Sequence, residues 1–438
     1  MRFRSFLAAA AVAALAAPEP ASAQLLGQGG VVDRTLGGVA GTVGATVDPL
    51  LADALAQQQA ALSGLRRQRI DLLYRENPEE IFLDDHDEPA IRGEALAVSP
   101  SKAALSAALA DGFEIARRKE LEGLGVNLVV LKAPEGMSTK RALRRLRKLD
   151  PEGTYDLNHV YIGSGATPSE KRNGPSASNP RSNGASMRIG LIDGGVETSH
   201  AVFAGARIEE RAFTGSKPVA TGHGTAAASL IVGESPIFRG SAPGATLYAA
   251  DVFGGEPTGG AADAIAAAFA WLVAENVAVI NASLVGPDNA ALHAVVKAVL
   301  SKGVVIVAAV GNDGPSALPL YPASYDGVIG VTAVDQKSKA IVEAGRGVQV
   351  DFAAPGADMA AAGLENGYYE VRGTSFSAPI VAGLIATVID GSSDIARAHA
   401  ELAATADDLG KKGRDKVYGD GLVGAELRVS PKFFAKAQ

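Results

Sequence analysis

The sequence contains no cysteine. Disulfide bonds and metal sites built on thiolates are therefore excluded, so stability must come from packing, hydrogen bonds or bound ions. Beyond the N-terminus, no segment reaches the about eighteen consecutive apolar residues that a membrane-spanning helix requires. We therefore expect a soluble protein with no membrane span after its first residues.

Positive charge is not in excess either. The formal net charge is −7 at pH 7, which argues against a nucleic-acid-binding protein, because such proteins usually carry a basic face. Residues 187–438 contain 19 Lys and Arg against 26 Asp and Glu. The second part of the chain is therefore acidic, and the first part is neutral overall.

Cations nevertheless cluster in the first part of the chain. The clusters are Arg66, Arg67 and Arg69, then Arg117 to Lys119, and then the segment KRALRRLRK from Lys140 to Lys148. On a helix, Leu143 and Leu146 of the last segment would face inward and the cations outward. Two interpretations stay open: a solvated helix face, and a surface that is attracted to the acidic second part of the chain.

The N-terminus reads MRFRSFLAAAAVAALAAPEPASAQ. Arg2 and Arg4 precede an apolar run that is too short for a membrane span, and small residues in an A-x-A arrangement follow. We predict a signal peptide over residues 1–23, and hence export to the periplasm or the medium. The alternative is a buried N-terminal helix.

Composition then divides the rest of the first part. A Gly-, Val- and Thr-rich stretch followed by regularly spaced Leu predicts a leader over residues 24–93, with a long helix over residues 48–74. Short apolar runs between helical segments predict a small α/β domain over residues 94–161. The Gly, Ser, Pro and Asn of residues 162–186 predict a flexible linker.

Residues 187–438 alternate short apolar runs with Ala-rich helical segments. The predicted strands are RIGLID, ATLYAADVF, VAVINASL, GVVIVAAVG and GVIGVTAV, and the predicted helices lie near Thr225, Ala262, Ala290 and Ser377. Strands that are buried on both faces and separated by helices predict an α/β fold with a doubly wound parallel sheet. In such folds the functional groups lie just past the carboxyl ends of the strands.

Three polar residues stand where predicted strands end or predicted helices begin: Asp193 in LIDGG, His223 in GHGT and Ser375 in GTSFSAP. Each alone has an ordinary explanation as a turn former, a structural group or a helix N-cap. Together they suit nucleophilic catalysis, because a serine hydroxyl needs a base and the base needs a carboxylate to fix its tautomer. A helix N-terminus at Ser375 also offers a backbone N–H to a developing oxyanion.

Asn312 ends another predicted strand, where its amide is a candidate second oxyanion donor. With it, the order Asp, His, Asn, Ser resembles that of the subtilases, the subtilisin-like serine proteases, over residues 187 to about 424. The resemblance implies that Asp193 orients His223, that His223 acts as general base, and that Ser375 is the nucleophile. It also implies that Asn312 stabilises the oxyanion.

The same resemblance implies how a polypeptide substrate is bound. NASLVGP matches the family's substrate-binding strand, with Ser283, Leu284, Val285 and Gly286 in it, and Gly311 belongs to the opposite wall. Val285 stands where the family commonly has glycine. We therefore expect a narrow pocket for the side chain that precedes the cleaved bond.

The small α/β domain resembles the family's propeptide, although its motifs match less closely. This resemblance implies a zymogen that cleaves itself between Gly163 and Ser186 and is inhibited by its own propeptide. The sequence departs from the family pattern at Gly194, where Ser or Thr is common, and at Phe376, where Met is usual. No cofactor is implied, and no motif supports the structural calcium of some relatives.

The leading hypothesis is therefore an exported serine endopeptidase. A narrow processing or regulatory protease, which cuts one partner or only itself, stays open as an alternative. A third hypothesis is a pseudoprotease that keeps the fold as a binding module. That hypothesis predicts the loss of a triad or oxyanion residue, and none is lost.

Overall fold

The computed structural model of the protein describes residues 66–163, 171–174, 187–389 and 394–436. The predicted signal peptide, most of the leader and most of the linker lie outside these residues. The predicted long helix lies mostly outside them too, but residues 66–76 are helical, and we call this segment α1. Among the described residues, no helix is both long and apolar enough to cross a membrane.

The first sheet is small and antiparallel. Its strands are β1 (Ile81–Leu83), β2 (Pro89–Val98), β3 (Glu114–Leu121), β4 (Val126–Lys132) and β5 (Thr154–His159), and its helices are α2 (Lys102–Ala110) and α3 (Thr139–Leu149). The strand order is β1-β2-β4-β3, and β5 also pairs with β2. We call residues 81–159 the small sheet unit. It begins before residue 94, inside the segment predicted as leader.

Two further strands fall in the segment predicted as a linker, namely β6 (Ile162–Gly163) and β7 (Lys171–Asn173). β6 pairs with a strand from the second part of the chain, and β7 pairs with two others. Backbone pairing needs no apolar side chains, which is why composition alone predicted a flexible segment here.

The second part of the chain contains the remaining strands and helices. The strands are β8 (Arg188–Asp193), β9 (Arg207–Ala212), β10 (Glu234–Ser235), β11 (Phe238–Arg239), β12 (Thr246–Asp251), β13 (Val279–Ala282), β14 (Leu284–Val285), β15 (Val305–Ala309), β16 (Ile329–Val334), β17 (Phe352–Pro355), β18 (Met359–Ala362), β19 (Gly367–Val371) and β20 (Ala435–Lys436). The helices are α4 (Gly222–Val232), α5 (Ala262–Ala274), α6 (Ala290–Ser301), α7 (Thr374–Val388) and α8 (Ile395–Ala403).

Seven of these strands form one parallel sheet in the order β17-β16-β15-β13-β8-β12-β9. One face packs against α4 and α7, and the other packs against α5 and α6. The predicted doubly wound sheet is therefore confirmed, with the five predicted strands present as β8, β12, β13, β15 and β16. The edge strand β9 was not predicted, because its sequence RIEERA carries four charges and resembles an exposed turn.

The small sheet unit packs against the second part of the chain through one face of its sheet. Leu96, Leu128 and Val130 share a core with Phe269 of α5 and Leu292 of α6. The neighbouring residues on these strands face the opposite way and pack under α3. The alternation of a β-strand thus gives the small sheet two buried faces.

A buried carboxylate joins the two parts of the chain. Asp263, in the first turn of α5, is 3% exposed and lies 3.2 Å from Nε of Arg117 and 3.1 Å from Nζ of Lys119. Asn158 donates a hydrogen bond to the same carboxylate at 3.0 Å. Burial alone would raise the pKa of Asp263, but the attraction of Lys119 and Arg117 outweighs it, so the pKa lies below its ordinary value.

The segment KRALRRLRK forms α3, and Leu143 and Leu146 are buried as predicted. Three of its six cations, however, pair inside the small sheet unit: Lys140 with Asp85, Arg145 with Asp111 and Arg147 with Asp156. These three ion pairs do not reach the acidic part of the chain, and the attraction of this segment to that part stays a prediction. Arg117 and Lys119 of β3 do contact it, through Asp263.

Asp263→Asn should weaken the packing between the two parts of the chain. At pH 7 we expect a loss of about 2 kcal/mol in the free energy of unfolding, because Arg117 and Lys119 lose the negative charge of their partner. A lowered pKa means that this stabilisation is present above the ordinary pKa and disappears as the pH falls through the folded-state value. The difference between variant and wild type in urea denaturation should therefore be full at pH 7 and should shrink as the pH is lowered below the ordinary pKa of aspartate.

Arg118→Ala is the matched control. Arg118 lies on β3 between Arg117 and Lys119, but its side chain is exposed. It should change the free energy of unfolding by less than about 0.5 kcal/mol. An Asp263→Asn protein as stable as this control at pH 7 would contradict the account of the interface.

Candidate functional site

The carboxyl end of β8 and the start of α4 meet closely at two glycines. A Cβ atom on Gly224 would lie 2.2 Å from the carbonyl oxygen of Gly194, and one on Gly194 would lie 2.4 Å from Oγ1 of Thr221. Thr221 is the N-cap of α4, and its hydroxyl accepts a hydrogen bond from Gly224 N at 3.0 Å. The absence of side chains at both glycines thus lets Asp193 and His223 approach each other.

Asp193 and His223 are in direct contact. Nδ1 of His223 lies 2.8 Å from Oδ1 and 2.9 Å from Oδ2 of Asp193, and Asp193 is 1% exposed. The carboxylate therefore fixes the proton on Nδ1 and leaves Nε2 as the basic nitrogen. Nε2 is buried and has no hydrogen-bond partner within the described ranges, so the arrangement can accept a proton there.

Gly194, where the family commonly has Ser or Thr, supports Asp193 through its backbone. Its backbone N–H donates to Oδ1 of Asp193 at 2.7 Å. The aspartate thus receives a hydrogen bond from the backbone at this residue. A serine or threonine side chain here would collide with Thr221 unless that residue moved.

Ser375 lies in the first turn of α7, which follows Gly373 at φ 139°. Its side chain is buried, and its carbonyl oxygen accepts a hydrogen bond from Oγ of Ser283 at 2.9 Å. The next residue, Phe376, lies against His223 with ring centroids 5.1 Å apart. The start of α7 is therefore beside the imidazole.

Asn312 follows the carboxyl end of β15 and is tied to the same helix start. Its Oδ1 accepts a hydrogen bond from Thr374 N at 3.1 Å, and Gly311 N donates to Oγ1 of Thr374 at 3.2 Å. Because Oδ1 faces Thr374, the NH2 group is the end of the amide that can donate to a substrate oxygen. Thr374 thus holds Gly311 and Asn312 next to Ser375.

The predicted substrate strand pairs with a segment of the chain itself. In the antiparallel pair of β6 and β14, Ile162 lies opposite Val285 and Gly163 lies opposite Leu284. On the other edge, Tyr161 N donates to the carbonyl oxygen of Gly260 at 2.8 Å. Residues 161–163 therefore lie as a middle strand between two segments of the second part of the chain.

Tyr161 anchors this strand. Its side chain is fully buried, and its hydroxyl donates to the carbonyl oxygen of Pro287 at 2.8 Å. The ring covers Gly286, where a Cβ atom would lie 2.4 Å from it. At the other end of the strand, a Cβ atom on Gly163 would be 3.9 Å from Cε1 of His223. The strand thus leads from a buried aromatic ring directly to the imidazole.

The opposite wall contains a residue that the sequence analysis missed. The side chain of Leu320 rests on Gly311, since a Cβ atom there would lie 2.6 Å from Cδ1 of Leu320. Tyr321 and Gly286 exchange two backbone hydrogen bonds of 3.0 Å, so the two walls meet directly beside Leu320. Leu320 thus covers Gly311 with a branched side chain.

The other residues that the sequence analysis missed position the candidate site through hydrogen bonds. Asn281 donates to Oγ of Ser283 at 2.8 Å, and Ser283 in turn holds the backbone of Ser375. The Thr221 hydroxyl accepts a hydrogen bond from the backbone of Gly224, next to His223. Thr374 N–H donates to Asn312 Oδ1. Their positions as polar residues flanking the quoted motifs were the available signal, but the partner of each is distant in sequence.

No metal centre is apparent in the part of the chain that the structure describes. It contains no group of three or more His, Asp or Glu side chains placed to hold a metal ion.

Comparisons with known proteins agree with this geometry. Residues 184–421 match the subtilase family. Subtilisin DY of Bacillus licheniformis is 32% identical over 257 residues, which cover 56% of this chain and 90% of that protein. Subtilisin E of Bacillus subtilis (strain 168) is 30% identical over 303 residues, which cover 66% of this chain and 78% of that protein.

A solved structure shows the same fold. Fervidolysin from Fervidobacterium pennivorans, a keratinolytic enzyme related to subtilisin, superposes with a TM-score of 0.64 at 19% identity. The similarity covers 79% of this chain and 62% of that protein. The sequence match, together with the fold, shows that this chain belongs to the subtilase family of serine endopeptidases.

Proposed function

We propose that Ser375, His223 and Asp193 form the catalytic triad of this protease, with Asn312 in the oxyanion hole. The contact of 2.8 Å between His223 Nδ1 and the buried Asp193 carboxylate carries the proposal. His223 Nε2 takes the proton of the Ser375 hydroxyl while Oγ attacks the carbonyl carbon of a peptide bond. The Asp193 carboxylate stabilises the imidazolium that forms.

The negative charge of the tetrahedral intermediate then lies on the former carbonyl oxygen. Ser375 N–H, at the positive end of α7, and the NH2 group of Asn312 donate hydrogen bonds to it. The imidazolium gives its proton to the departing amine, which leaves an acyl group on Oγ. Water, deprotonated by His223, attacks this ester and releases the acid and the free serine.

We further propose that the protein is an exported zymogen that cuts its own chain. Residues 161–163 occupy the cleft as an antiparallel strand, which is the way an extended peptide adds to a sheet edge. Because Gly163 lies next to His223, the cleaved bond lies shortly after it, within the predicted range from Gly163 to Ser186. After the cut, residues 81–163 stay bound as an inhibitor through the core shared with α5 and α6.

The walls of the cleft favour a narrow specificity within this function. Leu320 covers Gly311, and the family resemblance places Val285 at the pocket for the side chain before the cleaved bond, so we expect small side chains to fit there. This observation supports the alternative of a processing protease with few substrates. The proposal that the protein is exported is based on the N-terminal sequence.

Ser375→Ala should remain uncut. The variant lacks the nucleophile, so intact mass should equal the full chain after any signal cleavage, and peptide hydrolysis should fall by about 10⁶, the size of this effect in subtilisin. Ser316→Ala, an exposed serine of the loop after Asn312, is the matched control and should process normally. Processing of purified Ser375→Ala at the wild-type rate would refute self-cleavage.

Leu320→Gly and Val285→Gly should each widen the pocket. We expect kcat/KM for substrates with Phe before the cleaved bond to rise roughly tenfold relative to Ala, since filling such space is worth about 1–3 kcal/mol. Leu318→Gly is the control, because Leu318 lies in the same loop but is 83% exposed. A peptide-library profile of the wild type dominated by large aromatics would show the pocket to be open.

A further inference from the structure

Helix α1 lies upstream of the small sheet unit in sequence, yet its side chains reach the cleft. NH1 of Arg69 donates a hydrogen bond to the carbonyl oxygen of Gly163 at 3.2 Å. Gly163 is the residue of β6 that lies beside His223. A side chain of α1 therefore holds the strand at the point nearest to the catalytic imidazole.

A second arginine of α1 joins the two parts of the chain. NH1 of Arg66 donates to Oε1 of Glu88 at 2.8 Å and lies 3.7 Å from Oδ2 of Asp313. The side chains of Arg66 and Asp313 are only 12% and 16% exposed. Asp313 directly follows Asn312, so Arg66 bridges the small sheet unit to the loop that carries the oxyanion donor.

The charge on Asp313 depends on pH in an accessible range. Its pKa is raised to about 6, because burial and the carboxylate of Glu88 outweigh the attraction of Arg66 and Arg69. Above this pH the carboxyl is ionised and forms an ion pair with Arg66. Below it, the attraction between these two side chains weakens.

The rest of α1 fits a docked helix. Ile70 is 1% exposed. Arg67 lies between the two arginines in sequence but is half exposed and pairs with Asp87 of the small sheet unit. The helix thus turns Ile70 and Arg66 inward, whereas Arg67 and Arg69 are exposed and Arg69 reaches the Gly163 carbonyl from the surface.

We propose that α1 is a second inhibitory contact, which clamps residues 161–163 in the cleft and delays release of the cleaved N-terminal part. The proposal rests on the proposed self-processing. β6 contributes only two residues of pairing. Helix α1 adds two further contacts, from Arg69 to the Gly163 carbonyl and from Arg66 to Asp313. Its arginines belong to the segment that departs with the small sheet unit, so the inhibition ends when that segment leaves.

The test uses the full-length protein with Arg66→Ala, Arg69→Ala or the matched control Arg67→Ala. Each protein is allowed to process itself. We measure the time of the cut by intact mass and the onset of activity by hydrolysis of a fluorogenic peptide. The lag is the interval between these two times. We expect the lag to shorten several-fold for Arg66→Ala and Arg69→Ala and to stay unchanged for Arg67→Ala. The effect of Arg66→Ala should be larger at pH 8 than at pH 5.

Equal lags in all four proteins would overturn the clamp while leaving self-processing intact. A wild type that is never cut would instead refute the proposed function. For that case, hydrogen exchange of residues 161–163 in the uncut Ser375→Ala background gives an independent answer. Exchange should be several-fold faster with Arg69→Ala than with Arg67→Ala, and equal exchange would overturn the clamp.

Discussion

Backbone pairing between β6 and β14 is the interaction on which the arrangement of the cleft depends. It aligns Gly163 with His223, seats the Tyr161 ring on Gly286 and gives Arg69 a carbonyl oxygen to hold. None of these contacts would form if the strand shifted by one residue, because alternate side chains would exchange faces. Residues 161–163 thus occupy the cleft as a strand, which is the observation behind the proposed self-cleavage.

The parallel sheet and the residues at its edge could be predicted from the sequence, because both leave local signals. A buried parallel strand reads as a continuous apolar run, and Asp193 and Asn312 stand where such runs end. Strands β3 and β9 gave no such signal. Their charges, Arg117 and Lys119 among them, find partners that are distant in sequence, and the apolar pattern of an ordinary strand is absent.

The supports of the site escaped prediction for a related reason. Thr221, Thr374 and Asn281 act through hydrogen bonds to residues that only the fold brings close. Their residue types are equally common as caps and turn formers, so the sequence alone offers no way to choose. The same holds for α1, whose helical pattern was visible but whose docking beside Asp313 depends on the packing of the small sheet unit.

Position in the fold, more than the local density of charge, decides which cations join the two parts of the chain. The nine-residue segment KRALRRLRK is the densest basic stretch, yet its ion pairs stabilise the small sheet unit internally. Single arginines at the interface reach Asp263 and Asp313, where burial excludes water and strengthens each pair. A few enclosed ion pairs, and not the densest basic segment, therefore join the small sheet unit to the second part of the chain.

The absence of cysteine allows the position of that strand to be measured directly. In a Ser375→Ala background, cysteines introduced at Ile162 and Val285 face each other across the antiparallel pair, at a distance that a disulfide can span. Mild oxidation should link them in nearly every molecule, and a control pair at Ile162 and the exposed Val348 should remain reduced. Linkage no greater than in the control would contradict the claim that the chain occupies its own substrate cleft.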